Sequence, residues 1–484
     1  MKIKNIKQNF ILNTIRLTFG MIFILLTTPY ITRILGVENF GKVEYANSII
    51  AYFLLFTALG IPNYGIREVA KCRNDKEELS KIVLELGIIL FITTLLGYLT
   101  LIILIFNSKL VLIKNLIYIL SVNIFFTNIG FEWFYQGIEN QSYITIRFIL
   151  IRILALILMF IFVKQSSDYL KYGIILVIMY SGSNFLNFIH LKDYITIKNI
   201  NFKSLNIFKH IRPILVIFSA SLATSIYLQL DTVMLGRVNQ DAVGLYAVSN
   251  RIVRLVLTIV TVLGSVLLPR ITNMYQNNDI INYRRYLNLS LNYIYLVALP
   301  CVVGILLLAK DIVLLIAGET YFDSIVTMRI LAIIIFIVGM AYFLGYNFLY
   351  PRGLEKYYTC SVIISAIINF IFNYIMIPKY YQNGAAFGTV IAETTGVLLM
   401  LYFTRKYWTE INLFSLARLK YPIAALIMGL YLIIIKSLVK NNIVIILLGI
   451  SFGSIIYFFM LYLLKEQITR EAIRLLKMKL ERKK

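Results

Sequence analysis

Six ionisable residues stand inside long apolar runs, where a charge is costly. Arg16 lies in the run 10–32 and Arg152 in the run 145–163. Arg254 is near the middle of the run 243–268, with Arg251 three residues before it. That spacing puts both guanidiniums on one helical face. Glu393 sits near the middle of the run 384–404, and Asp231 lies toward the end of the run 213–236. Placing such a residue at the centre of a membrane helix costs roughly 2.5–3.5 kcal/mol, and those that occur usually face a bundle interior or a watery cavity. Guanidinium suits that setting, because it stays charged when desolvated and grips a phosphate or carboxylate through two parallel N–H bonds. A shielded carboxylate can carry a proton, hold a sodium ion or act as a counter-ion. The arginines are therefore either ligands for an anionic cargo or halves of internal ion pairs, such as Arg254 with Glu393 or Arg16 with Glu85. Arg147 and Glu85 lie nearer the span ends, where long side chains snorkel to the interface. Glu132, in "GFEWFYQG", reads as a residue of the inner mouth, flanked by Trp133 and Tyr135 as interfacial anchors.

No other chemistry stands out. Cys72, Cys301 and Cys360 are far apart and form neither a C-x-x-C pair nor a disulfide framework. His190 and His210 are lone, both beside a basic loop, and read as interfacial histidines without metal-ligand spacing. With no nucleophile–base constellation and no P-loop, the expectation is a protein without catalytic residues, metal or cofactor.

These charges must be positioned by membrane helices. The chain has 484 residues, of which 60% are hydrophobic and 14% charged. Soluble domains are nearer 45–50% apolar and about 25% charged, so most of this chain must face lipid. Apolar runs of about 20 residues span a ~30 Å hydrocarbon core. Fourteen candidates result: 10–32, 42–62, 83–106, 113–136, 145–163, 171–191, 213–236, 243–268, 286–308, 325–349, 358–378, 384–404, 421–439 and 442–464. Helix is the default, since a lipid-exposed backbone must satisfy its own hydrogen bonds. Lys and Arg concentrate in alternate loops and at both termini, which sets both termini in the cytoplasm and accounts for much of the net charge of +24 without nucleic acid. The basic, amphipathic tail from Lys465 is expected to lie along the inner membrane surface. Pro29, Pro62, Pro213, Pro269 and Pro300 read as residues at or near span ends, and Gly20, Gly264 and Gly345 as sites of bending or close packing.

The two halves echo each other across the Lys/Asn-rich linker 192–212. "RILGVENFGKVEYANSI" at Arg33 is repeated loosely by "VMLGRVNQDAVGLYAVSNRI" at Val233. Leu35-Gly36 matches Leu235-Gly236, Gly41 matches Gly244, and Asn47 matches Asn250. Further on, "FYQGIENQSY" at Phe134 resembles "LYPRGLEKYY" at Leu349. Echoes in the same order suggest a duplicated six-helix unit. Six is even, so both copies enter the membrane the same way, as in parallel-repeat transporters. The expected organisation is a six-helix bundle over 1–191, the linker, a second bundle over 213–404, an extra helix pair over 405–464 and the tail 465–484. The first copied stretch is expected to be the outer turn between the first two helices.

The motifs "TRILGVENFGKVEYANSII", "LGRVNQDAVGLYAVSNRI" and "YPRGLEKYYTCSVIISAIINFIFNYIMIPKYYQNGAAFGTVIAE" resemble those of the polysaccharide flippase family. That family exports O-antigen and capsule repeat units and belongs to the multidrug/oligosaccharidyl-lipid/polysaccharide superfamily. The resemblance implies an all-α polytopic fold, with two bundles in a V around a cavity. Its implied cargo is an oligosaccharide on undecaprenyl diphosphate, moved from the inner to the outer leaflet of the bacterial cytoplasmic membrane by alternating access. Cavity arginines would then hold the diphosphate. Arg16, Arg251 and Arg254 match by helix the arginines implicated in related flippases, and Arg152 joins them from the residue pattern. Asp231 and Glu393 become candidates for a coupling proton or sodium ion, or for counter-ions. Membrane lipids, a polysaccharide polymerase and other assembly proteins are the implied partners. Three alternatives remain open: a peptidoglycan-precursor flippase, a cation-coupled drug exporter and a membrane polysaccharide polymerase.

Overall fold

Continuous apolar runs leave the backbone one economical solution in lipid, and the chain takes it. The computed structural model describes residues 6–106, 109–196, 205–408, 413, 415–471, 474 and 478. The middle of the 192–212 linker and most of the basic tail beyond Glu471 lie outside the described residues. Among the described residues the regular elements are all helical, and eleven helices are long and apolar enough to cross a membrane. Large side chains stand exposed along them: Phe91 is 64% exposed, Ile450 62% and Leu447 61%. In water such faces would aggregate; here they are the lipid-facing surface.

Two of the eleven are much longer than one crossing requires. Ile11–Ala58 has 48 residues and Glu355–Tyr407 has 53. Each contains one non-helical residue, Gly36 (φ 71°, ψ 178°) in the first and Tyr381 (φ 47°, ψ −125°) in the second. The expected outer turn over the first copied stretch is therefore a one-residue break. Helix α1 (Ile6–Ala58) resumes directly after Gly36. Glycine reaches that positive φ at little cost, whereas Tyr381 does so against a steric penalty.

The chain divides into two compact units, Met1–Gly244 and Leu245–Lys484. In the first, α1 packs on α3 (Lys76–Phe106), α4 (Lys114–Ile129), α6 (Gln141–Phe162) and α8 (Phe208–Val238), while α4 lies along α7 (Tyr169–Leu191). Two short helices were not evident from the run lengths, α2 (Ile61–Cys72) and α5 (Glu132–Gly137), and they pack on each other. Trp133 and Tyr135 of α5 are not interfacial anchors. Both are buried in a core with Tyr64, Val69, Leu86 and Phe134, and the Tyr135 hydroxyl donates to the Asn187 carbonyl at 2.7 Å. Neither Glu85 nor His210 reaches the surface, because burial encloses both. The Glu85 carboxylate meets His210 Nε2 at 2.7 Å, the Asn206 N–H at 2.7 Å and Lys209 Nζ at 2.9 Å. His210 Nδ1 meets the Tyr64 hydroxyl at 2.7 Å. A carboxylate with three partners meets the requirement that a buried charge be paired and hydrogen-bonded.

The echoed glycines meet in this unit. A Cβ on Gly41 would collide with the Gln240 carbonyl and stand 2.9 Å from the Gly244 nitrogen. A Cβ on Gly244 would collide in turn with the Val37 carbonyl. The two copies of the motif thus touch backbone to backbone, which only paired glycines permit. Gly236 also lies against the Tyr45 ring.

In the second unit, helix α9 (Gln240–Gln276, of which residues from Leu245 belong here) is followed by α10 (Ile280–Ile316). Helix α10 is the spine: it packs on α11 (Ser324–Ala332), α12 (Ile334–Tyr342), α14 (Lys420–Leu438) and α15 (Asn442–Leu463). Helix α13 (Glu355–Thr404) packs on α11 and α12. Arg418 fixes α14 to α10 by donating to Asn288 at 2.7 Å and Asn292 at 2.9 Å, and Lys436 pairs with buried Asp311 at 2.8 Å. A π-helical turn over Phe343–Leu349 follows α12. Pro29, Pro213, Pro269 and Pro300 lie inside helices that continue through them, so they do not terminate spans. Gly264 and Gly345 serve close packing, against Tyr342 and Tyr358 respectively.

Candidate functional site

Three arginines of the first unit converge on one carboxylate and one ring. Arg16, on α1, meets Glu132 at 3.4 Å, and Arg147, on α6, meets the other oxygen of Glu132 at 3.3 Å. Arg152 lies one and a half turns further along α6, with its guanidinium 4.3 Å from the Phe148 ring centre and 5.1 Å from that of Phe23. Arg16 stands 6.0 Å from the same Phe148 ring. Phe148 thus joins Arg16 and Arg152, and Glu132 joins Arg16 and Arg147. Three guanidiniums against one carboxylate leave a formal charge of +2 (3 − 1) at this place.

Each arginine is also held by neutral groups. Arg147 donates to the Ser183 carbonyl at 2.9 Å, and Arg16 to the Asn13 side chain at 3.0 Å. Asn13 accepts in turn from Gln141 at 3.4 Å. The Nε–H groups of Arg147 and Arg152 are buried and donate to nothing among the described residues. The cluster therefore has N–H donors to spare. Arg147 does not snorkel: its side chain is 3% exposed, against 20% for Arg16. The ion pair imagined between Arg16 and Glu85 does not occur, since Glu85 is taken by His210 and Lys209 and Arg16 by Glu132.

In the second unit, Arg251 and Arg254 stand on successive turns of α9. Arg254 Nε donates to the Asn250 side chain at 2.9 Å, and among the described residues Arg254 pairs with no carboxylate, Glu393 included. Asn250 is the echo of Asn47, so the repeated asparagine here orients an arginine that the first copy lacks. Glu393, on α13, is half-buried. Asp231, on α8 of the first unit, is buried. No group of three or more His, Cys, Asp and Glu side chains is arranged to hold a metal among the described residues. A hollow of about 480 Å³ along the start of α8, lined by Phe208, Arg212, Leu215 and Val216, contains none of the residues above.

Glu132 and Arg147 were not evident as site residues from sequence. Arg147 and Arg152 are five positions apart, about 140° around a helix, so the pattern alone does not bring them together. The available signal was a carboxylate and an arginine near the facing ends of consecutive apolar runs, each costly unless paired.

The model of the polysaccharide biosynthesis protein family matches residues 6–275, which is more than half of the chain. The chain belongs to this family. Its resemblance to the flippases of the multidrug/oligosaccharidyl-lipid/polysaccharide superfamily is thereby upheld, and the MatE family model matches residues 216–375. A protein named "Putative O-antigen transporter" from Escherichia coli (strain K12) is 23% identical over 395 residues, covering 79% of this chain and 92% of that protein. "Probable lipid II flippase MurJ" of Rickettsia prowazekii (strain Madrid E) is 28% identical over 182 residues, 36% of each chain. A solved structure of lipid II flippase MurJ in an inward closed conformation shares the fold, with a TM-score of 0.74 at 19% identity, over 96% of this chain and 100% of that one. An inward-facing multidrug resistance MATE transporter of the MOP superfamily has a TM-score of 0.61 at 14% identity, over 83% of this chain and 99% of that one. This member of the family is a polytopic, all-helical membrane protein of the transporter type.

Proposed function

We propose that the protein is a flippase that moves undecaprenyl-diphosphate-linked oligosaccharide repeat units from the inner to the outer leaflet of the bacterial cytoplasmic membrane. The observation that carries this reading is the cluster in which Arg16 and Arg147 share the Glu132 carboxylate and Arg152 and Arg16 flank the Phe148 ring, three guanidiniums to one carboxylate. A diphosphate is the part of the cargo that lipid rejects most strongly, and buried guanidiniums offset its loss of water. Family membership and the relatives named for O-antigen transport agree with that cargo. Arg251 and Arg254 are proposed as further phosphate ligands along the path. Transport by alternating access needs an energy source, and Asp231 or Glu393 is proposed to take a coupling proton or sodium ion. Fourteen crossings follow if the two broken helices each cross twice and α8 crosses once, and an even number puts both termini on one side, which the basic loops and tail make the cytoplasm. The polymerase and other assembly proteins would then receive the cargo on the outer side, and the chain itself performs no catalysis.

The gene's deletion tests the reading: intact lipid-linked repeat units should accumulate on the inner leaflet, and an unchanged pool would reject it. A second reading, a peptidoglycan-precursor flippase, is favoured by the TM-score of 0.74 to that class. The same cluster would serve it, because both cargoes share the diphosphate. Rescue of a strain depleted of its own precursor flippase would select this alternative.

A further inference from the structure

We propose that Glu132 is a resident counter-anion that the cargo's phosphate must displace, and that it sets the charge the site demands of a ligand. The inference rests on the phosphate reading above. Glu132 places one oxygen 3.4 Å from Arg16 and the other 3.3 Å from Arg147. Charge-assisted bonds are normally about 2.7–2.9 Å, so both contacts are loose. The Glu132 side chain is 37% exposed, which leaves it a way out of the pair.

Neither arginine depends on the carboxylate for its place. Arg147 is anchored by the Ser183 carbonyl and Arg16 by Asn13, which Gln141 holds in turn. Gln136 also reaches Glu132, at 3.4 Å. When Glu132 swings away, two guanidinium forks therefore remain aimed at the same spot. A phosphate oxygen then takes the position that a carboxylate oxygen held. The exchange has two consequences. A ligand of one negative charge merely replaces the charge it expels, whereas a diphosphate gains on the exchange. The returning carboxylate also competes the phosphate off, which keeps a strongly cationic cluster from trapping its cargo. Apparent affinity is lowered by the fraction of time that Glu132 occupies the arginines.

The full-length protein in lipid nanodiscs, titrated with farnesyl diphosphate and with farnesyl monophosphate, tests this. Glu132→Gln should bind the diphosphate roughly fivefold or more tightly than wild type. It should tighten the monophosphate by a similar factor, because the same carboxylate must leave for either ligand, and melt at a lower temperature when empty. Arg16→Ala should bind the diphosphate at least about tenfold more weakly. If Arg16→Ala weakens binding while Glu132→Gln binds no better than wild type, Glu132 only scaffolds the site and the proposal is overturned. If Arg16→Ala binds as wild type does, the phosphate reading itself fails and takes the proposal with it. Should Glu132→Gln not yield monodisperse protein, Glu132→Asp withdraws the carboxylate by one methylene and must show the same tightening in smaller degree.

Discussion

At the scale of single residues, the account turns on guanidinium groups that spend little of their charge on carboxylates. Arg254 leans on a neutral amide, and Arg152 on two aromatic rings. A group held this way keeps its hydrogen bonds for a ligand. Replacing Arg254 by Ala is therefore expected to cost about 1.5–3 kcal/mol of phosphate binding, or roughly ten- to a hundredfold. Replacement by Lys should cost less, since it keeps the charge and loses the fork. Surface polysaccharide measured at matched protein levels checks this, and full export by the alanine variant would remove Arg254 from the site. Arg16, Arg152, Arg251 and Arg254 could be named from sequence because a charge inside an apolar run is conspicuous by its cost. Their surroundings could not. Arg147 and Glu132 sit near span ends, where an exposed and a buried charge look alike until helix packing decides.

At the scale of elements, apolar run length was a good guide to helices and to where the two longest break: Gly36 falls between the runs 10–32 and 42–62, and Tyr381 between 358–378 and 384–404. What the run lengths did not show is how brief the break is: Gly36 interrupts α1 for one residue only. The repeated glycines gave a symmetry signal whose physical meaning, a backbone contact between Gly41 and Gly244, needed the structure. Gly244→Ala should destabilise the first unit by about 1–3 kcal/mol through overpacking, read as a lower melting temperature in detergent. The short helices α2 and α5 escaped notice for different reasons: no apolar run marks α2, while α5 was absorbed into the end of the run 113–136. At the other end of the chain, Glu466 follows α15 and is buried. Burial alone would raise its carboxyl; the N–H groups of Thr469 and Ile468 and the Tyr421 hydroxyl outweigh that and hold it below the ordinary carboxylate value. A lowered value means that the folded state favours the ionised form, so this stabilisation is present at neutral pH. It falls away as pH drops through about 4 and on below the folded value. The stability difference between wild type and Glu466→Gln should therefore be constant near pH 7 and shrink in acid, which thermal unfolding across a pH series would record.

At the scale of the molecule, composition alone decided the membrane class, because 60% apolar content exceeds what a soluble core can hold. The family was legible from motifs spread along the chain. The division of the chain was less so: the first compact unit extends to Gly244 and takes in α8, which packs on α1 with Gly236 against the Tyr45 ring. The central claim is movement of a diphosphate-linked lipid between leaflets, and reconstitution tests it most directly. Proteoliposomes would carry an undecaprenyl-diphosphate-linked oligosaccharide in both leaflets, with a sugar-cleaving enzyme added outside only. Wild-type protein should expose the inner pool to cleavage, while the combined Arg16→Ala and Arg152→Ala variant should leave it protected as in protein-free vesicles. If wild-type vesicles protect the inner pool as fully as empty ones under both imposed proton and sodium gradients, the flippase account is contradicted.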